Sequence, residues 1–142
     1  MGLGKTVMAL ALLADEKYEG LNLVVVPNNV AKQWIEEIKV HCGGHVSVLD
    51  FGNVPAQKRK KMDLNKYNVI IITYGTLGSE YKKFMNEDRG ENEKLLLDYS
   101  FRRVILDEAH NIKCPKTLQF KSACALKSDF SWCLTGTLVQ NS

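Results

Sequence analysis

The sequence predicts an α/β fold: a mostly parallel sheet with helices on both faces. Three observations point to it. Short runs rich in Val, Ile and Leu recur along the chain, helical segments lie between them, and neither an internal repeat nor a linker divides the 142 residues. Buried parallel strands read as near-continuous apolar runs, and each crossover between them needs a helix-sized connection. The length suits one globular domain and is too short for two.

The predicted strands are Leu23 to Val26, Val46 to Phe51, Val69 to Thr73, Val104 to Asp107 and Trp132 to Thr135. Helices are expected over Lys5 to Lys17, Val30 to His41, Thr76 to Met85 and Pro115 to Leu126. In the second of these, Val30, Trp34, Ile35 and Ile38 share a face, Asn28 and Asn29 are candidate caps, and Gly43-Gly44 ends the helix. Gly52 to Tyr67, with its Lys58-Arg59-Lys60-Lys61 run, and Asn86 to Glu93 read as loops.

Lys plus Arg number 19 and Asp plus Glu 16, so the net charge of +3 permits an anionic partner without requiring one. The longest apolar run, Val7 to Ala14, falls well short of the roughly 18 to 20 residues that a membrane-spanning helix needs, so no membrane partner is expected. Cys42, Cys114, Cys124 and Cys133 form no Cys-x-x-Cys pair, which removes a zinc ribbon or a dense disulfide framework and fits reduced thiols in an intracellular protein. Cys42-Gly-Gly-His45 has no second half for a metal site. Met1 to Thr6 also satisfies a myristoylation pattern, and Lys5 with the apolar run after it imitates a short signal peptide. Asp15-Glu16-Lys17 continues that run as an amphipathic helix would.

Gly2-Leu3-Gly4-Lys5-Thr6 is the back half of the phosphate-loop pattern. Glycines let backbone N–H groups curl around phosphate oxygens, a lysine reaches the β and γ phosphates, and a threonine hydroxyl holds magnesium, with a helix N-terminus behind them. The triplet alone is weak evidence. Val104-Ile105-Leu106-Asp107-Glu108-Ala109-His110 adds a buried strand ending in two acids, placed where ligands meet open α/β sheets. There an Asp can serve magnesium and a Glu can polarise the attacking water. A solvated acidic turn is the bland alternative. Leu134-Thr135-Gly136-Thr137 ends the next expected strand, where small hydroxyls can sense the γ phosphate. The basic run reads either as a solvated loop or as a phosphate-backbone contact, and Trp34 reads as core rather than as a base-stacking platform.

With these residues in this order, the chain resembles the first RecA-like motor lobe of the Swi/Snf-type DNA-dependent ATPases of helicase superfamily 2. Residues 1–6 resemble motif I, Val24 to Pro27 with Gln33-Trp34 and Glu37-Ile38 resemble motif Ia, and Ile72-Thr73-Tyr74 resemble the DNA-contacting motif that follows. Asp107 to Lys113 resemble motif II, and Leu134 through Asn141 resemble motif III. Ala125 to Leu134 is similar to the subgroup of the helicase-like transcription factor and DNA-repair remodellers. Leu138 stands where the family usually has proline, which alters a turn.

The resemblance implies that Gly2, Gly4, Lys5 and Thr6 bind ATP, with Thr6 and Asp107 on its magnesium ion. It implies that Lys5, Asp107, Glu108 and His110 are catalytic, and that Thr135, Gly136 and Thr137 couple hydrolysis to movement. Pro27, Thr73 and Tyr74 would lie near DNA. The implied protein is a nuclear translocase on double-stranded DNA or chromatin, in repair or remodelling. Residues 1–142 would be a partial lobe, truncated at both ends, lacking its first strand and its second motor lobe, and inactive in isolation. The alternative is a catalytically silent fragment that only binds DNA or protein. A GTP-binding switch lacks its specificity motif, because Asn65-Lys66-Tyr67-Asn68 has no aspartate at its last position.

Overall fold

The computed structural model describes residues 20–86, 90, 93–112 and 114–134. Five strands form one sheet: β1 (Asn22–Val26), β2 (Val48–Asp50), β3 (Val69–Thr73), β4 (Ser100–Leu106) and β5 (Lys127–Cys133). The order across it is β2-β3-β1-β4-β5, and every neighbouring pair is parallel. The helices are α1 (Ala31–Cys42), the single turn α2 (Ala56–Arg59), α3 (Tyr74–Met85) and α4 (Leu118–Cys124). The expected Lys5 to Lys17 helix lies outside the described residues.

β1 is central because all five of its residues are buried and alternate between two cores. Leu23 and Val25 join Ile70, Ile72, Val104 and Leu77 on one face. Val24 and Val26 join Ile71, Ile105, Trp34 and Ile38 of α1 on the other. Helices therefore cover both faces, as expected: α1 on one, α3 on the other with α4 packed beside it. That packing is close, since a Cβ on Gly78 of α3 would meet Leu118 Cδ2 of α4 at 3.0 Å.

Local expectations change at several points. β5 starts at Lys127 and ends at Cys133, rather than running from Trp132 to Thr135. As one of the two edge strands of the described sheet it does not need an unbroken apolar run; Phe130, Trp132 and Cys133 are exposed, although Cys133 reads from sequence as a packed strand residue. Asn28 and Asn29 do not cap α1 with their side chains; with Val30 they form a 3-10 turn that leads into it. Instead Thr73 caps α3 by accepting from the Thr76 N–H, and Thr117 caps α4 by accepting from the Phe120 N–H.

Candidate active site

β1, β3, β4 and β5 finish along one carboxyl edge, and the chain residues that follow them collect there. Register pairs Val26 with Thr73, Val25 with Leu106, and Leu106 with Cys133. Pro27, Thr73, Asp107 and Leu134 are thereby brought to the same side of the sheet. Gly2, Gly4, Lys5, Thr6, Thr135, Gly136 and Thr137 lie outside the described residues.

Asp107 is the first residue past β4, and it is held from several directions. Its N–H donates to the Val25 carbonyl at 2.8 Å. Its carbonyl accepts from the Tyr74 hydroxyl at 2.6 Å. Carboxylate Oδ2 accepts from Trp34 Nε1 at 2.9 Å, and Oδ1 accepts from the Glu108 N–H at 3.0 Å. Glu108 adopts φ 52°, the left-handed region that residues with a Cβ seldom occupy, at a cost of about 1–3 kcal/mol. The turn is braced against that cost by Ala109 N–H donating to Leu134 O at 3.0 Å and Leu134 N–H donating to Leu106 O at 2.9 Å. The end of β5 is thus tied to the Asp107–His110 turn.

Glu108 and His110 face one another, with Nδ1 3.3 Å from Oε2 and both side chains partly exposed. Such a pair leaves a carboxylate accessible to water while one of its oxygens is oriented. Burial first, then the charges of Asp107, Cys133 and Glu108, hold the Tyr74 phenol protonated well above its usual range. It therefore remains a donor to Asp107.

Among the described residues no group of three His, Cys, Asp or Glu side chains could cage a metal. The carboxylate of Asp107 still fits magnesium, which usually keeps several waters and takes one or two carboxylates together with substrate phosphates. Oδ2 accepts from the Trp34 indole and Oδ1 from the Glu108 main chain, which fixes the plane of the carboxylate.

The other predicted site residues divide. Pro27 lies half-buried in the loop after β1. The Thr73 hydroxyl is occupied in capping α3 and sits 3.1 Å from the Thr76 hydroxyl. Tyr74 is 9% exposed and turns its hydroxyl inward, so its side chain faces Asp107 rather than the surface. Trp34 is 3% exposed, in the core as expected, but its indole N–H also reaches the site, a role sequence reasoning missed. In the basic run, Arg59 folds inward toward Glu80 and Lys60 pairs with Glu93 at 3.1 Å, which disperses the apparent strip of charge.

A parallel sheet with helices on both faces, and an Asp-Glu turn braced at its carboxyl edge, defines the class: a RecA-like lobe of the nucleotide-handling α/β type. The chain belongs to the SNF2-related domain family, whose sequence profile matches residues 1–142. It is 31% identical to the ATP-dependent helicase ULS1 of Saccharomyces cerevisiae, over 100% of this chain and 11% of that protein. It is 40% identical to the DNA repair protein RAD5A of Arabidopsis thaliana, over 86% of this chain and 12% of that protein. In structure it is similar to the Sulfolobus solfataricus SWI2/SNF2 ATPase core in complex with dsDNA, with a TM-score of 0.72 and 31% identity, covering 100% of this chain and 27% of that one. The chain spans only a small part of the length of these relatives. No described helix is long and apolar enough to cross a membrane.

Proposed function

We propose that residues 1–142 are part of the ATP-binding motor lobe of a DNA-dependent ATPase that moves along double-stranded DNA, in the nucleus, in repair or chromatin remodelling. The observation that carries this reading is the Asp107–Glu108 turn, braced at the carboxyl edge of the sheet in a chain of the SNF2-related family. Gly2, Gly4, Lys5 and Thr6 are assigned to the phosphates. Thr6 and Asp107 would hold the magnesium that accompanies ATP, which would supply charge neutralisation to the phosphates. Glu108 draws a proton from the attacking water while His110 steadies one of its oxygens. Thr135, Gly136 and Thr137 are assigned to relaying the loss of the γ phosphate, through the segment that Leu134 ties to the turn. A second motor lobe completes the translocase.

Pro27 and the Thr73–Tyr74 start of α3 are assigned to the DNA backbone, Tyr74 through its main chain because its side chain is turned inward. Contacts of this kind displace counterions and read no bases, so DNA binding should be weak, insensitive to sequence and steeply reduced by salt, with a slope of about −0.9 per phosphate engaged. A titration of duplexes of different sequence across salt concentrations tests it. Affinity that does not change with salt refutes the assignment.

A further inference from the structure

We infer that Trp34 and Tyr74 are positioning residues for Asp107, and that through them the starts of α1 and α3 set the orientation of the site carboxylate. The inference deepens the function proposed above and rests on it.

A buried indole N–H needs an acceptor, and a main-chain carbonyl would satisfy it. Here the acceptor is a carboxylate 73 residues away in sequence, the one that ends β4 at the functional edge. The Tyr74 hydroxyl takes the carbonyl of the same residue at 2.6 Å. With the Val25 and Glu108 contacts, the main-chain N–H, the carbonyl and both carboxylate oxygens of Asp107 are all engaged. No rotation about its side chain is possible without breaking the Trp34 bond or the Glu108 bond. Groups that hold a metal-binding carboxylate from behind fix its geometry and tune its affinity, and removing one typically costs 10- to 100-fold.

The two donors also have a distinctive origin. Trp34 lies in the first turn of α1, separated from Pro27 by one 3-10 turn, and Tyr74 opens α3 directly after Thr73. Pro27, one 3-10 turn before α1, and the Thr73–Tyr74 start of α3 are the residues assigned above to the DNA backbone. A shift of either helix start relative to the sheet must be absorbed at Asp107, because both side chains are buried and cannot swing free. DNA engagement and carboxylate orientation are then two readings of one arrangement, which gives the hydrolytic site a direct dependence on DNA.

The test uses Trp34→Phe, which keeps an aromatic ring and removes the N–H, and Tyr74→Phe, which removes only the hydroxyl. Both are compared with Asp107→Asn in the full-length protein. The concentration of Mg2+ giving half-maximal DNA-stimulated ATP hydrolysis should rise about tenfold in Trp34→Phe, with the KM for ATP at saturating Mg2+ unchanged. Tyr74→Phe should move the same requirement in the same direction. A purely structural role would lower the folded fraction and leave the Mg2+ requirement where it was. A second readout needs no turnover: the Trp34 indole N–H resonance of the wild type should exchange slowly with solvent, and it should shift in Asp107→Asn. An unmoved resonance, or a wild-type Mg2+ requirement in Trp34→Phe while Asp107→Asn is impaired, overturns the positioning role alone. A wild-type requirement in Asp107→Asn as well overturns the assignment of the site.

Discussion

Replacing Arg59 by alanine should destabilise the fold far more than replacing its neighbour Lys60, although both stand in the same run of four basic residues. Glu80 on α3 is 2% exposed, and Arg59 lies 3.8 Å from its Oε2 at 14% exposure. Lys83 Nζ is 3.1 Å from the same oxygen, but it is partly exposed and is not aligned for a hydrogen bond. Arg59 also donates Nε–H to the Val54 carbonyl at 2.8 Å and a terminal N–H to the Gly52 carbonyl at 3.3 Å, with its guanidinium 4.7 Å above the Phe51 ring. Removing it leaves the buried Glu80 carboxylate with Lys83 as its neighbouring counter-charge and releases the segment between β2 and α2. With Lys83 still beside Glu80, the loss of one counter-charge and of the bonds to Val54 and Gly52 should cost about 2–3 kcal/mol, a sizeable share of the ~5–15 kcal/mol that holds a domain together. Lys60 and Glu93 are both far more exposed, so Lys60→Ala should cost about 0–1 kcal/mol. Urea unfolding of wild type, Arg59→Ala and Lys60→Ala, followed by circular dichroism and compared at the midpoint, measures the difference. Equal midpoints for the two variants would mean that the buried bonds of Arg59 hold no more of the fold than the exposed Lys60–Glu93 pair.

Cys42 is buried and its thiol is pushed up by burial, whereas Cys114, Cys124 and Cys133 are exposed, so a thiol reagent should label those three rapidly and Cys42 only on unfolding; four equally fast thiols would contradict this packing. Tyr74 should ionise only well above the ordinary phenol range. Its folded pKa is raised, so the stability it contributes is fully present below the ordinary phenol value near pH ~10 and is lost as pH climbs from there toward the folded value. Phenolate absorbance against pH should show a component in wild type that appears only with alkaline unfolding, and Tyr74→Phe should lack it.

The parts of this fold that could be read from the sequence are those where one physical demand dominates. β1 and β3 must be apolar on both faces, and their runs of Val and Ile are placed within a residue of the expected bounds. α1 shows its buried face at helical spacing through Trp34 and Ile38. β5 was harder to place because Lys127, Ser128, Asp129 and Ser131 interrupt its pattern, and an outer strand tolerates them. α3 begins earlier than expected because Thr73 caps it, while Gly75 and Gly78 weaken its first turns as a helical pattern. The Asp107–Glu108 turn was legible from strand, acids and order. The Trp34 bond to Asp107 was not, since nothing in the local pattern around either residue indicates a partner so far along the chain. The inward turn of Arg59 was equally hidden, because position within a basic run does not indicate which member meets a buried acid.

If the turn after β4 carries ATP hydrolysis, Glu108→Gln in the full-length protein should abolish it. Phosphate release is measured with and without duplex DNA, beside Mg2+-dependent ATP binding. Wild type should show DNA-stimulated hydrolysis and the variant a fall of roughly 10²–10⁴, with ATP still bound, because a proton acceptor is lost while the phosphate contacts remain. Hydrolysis at the wild-type rate in Glu108→Gln would contradict it.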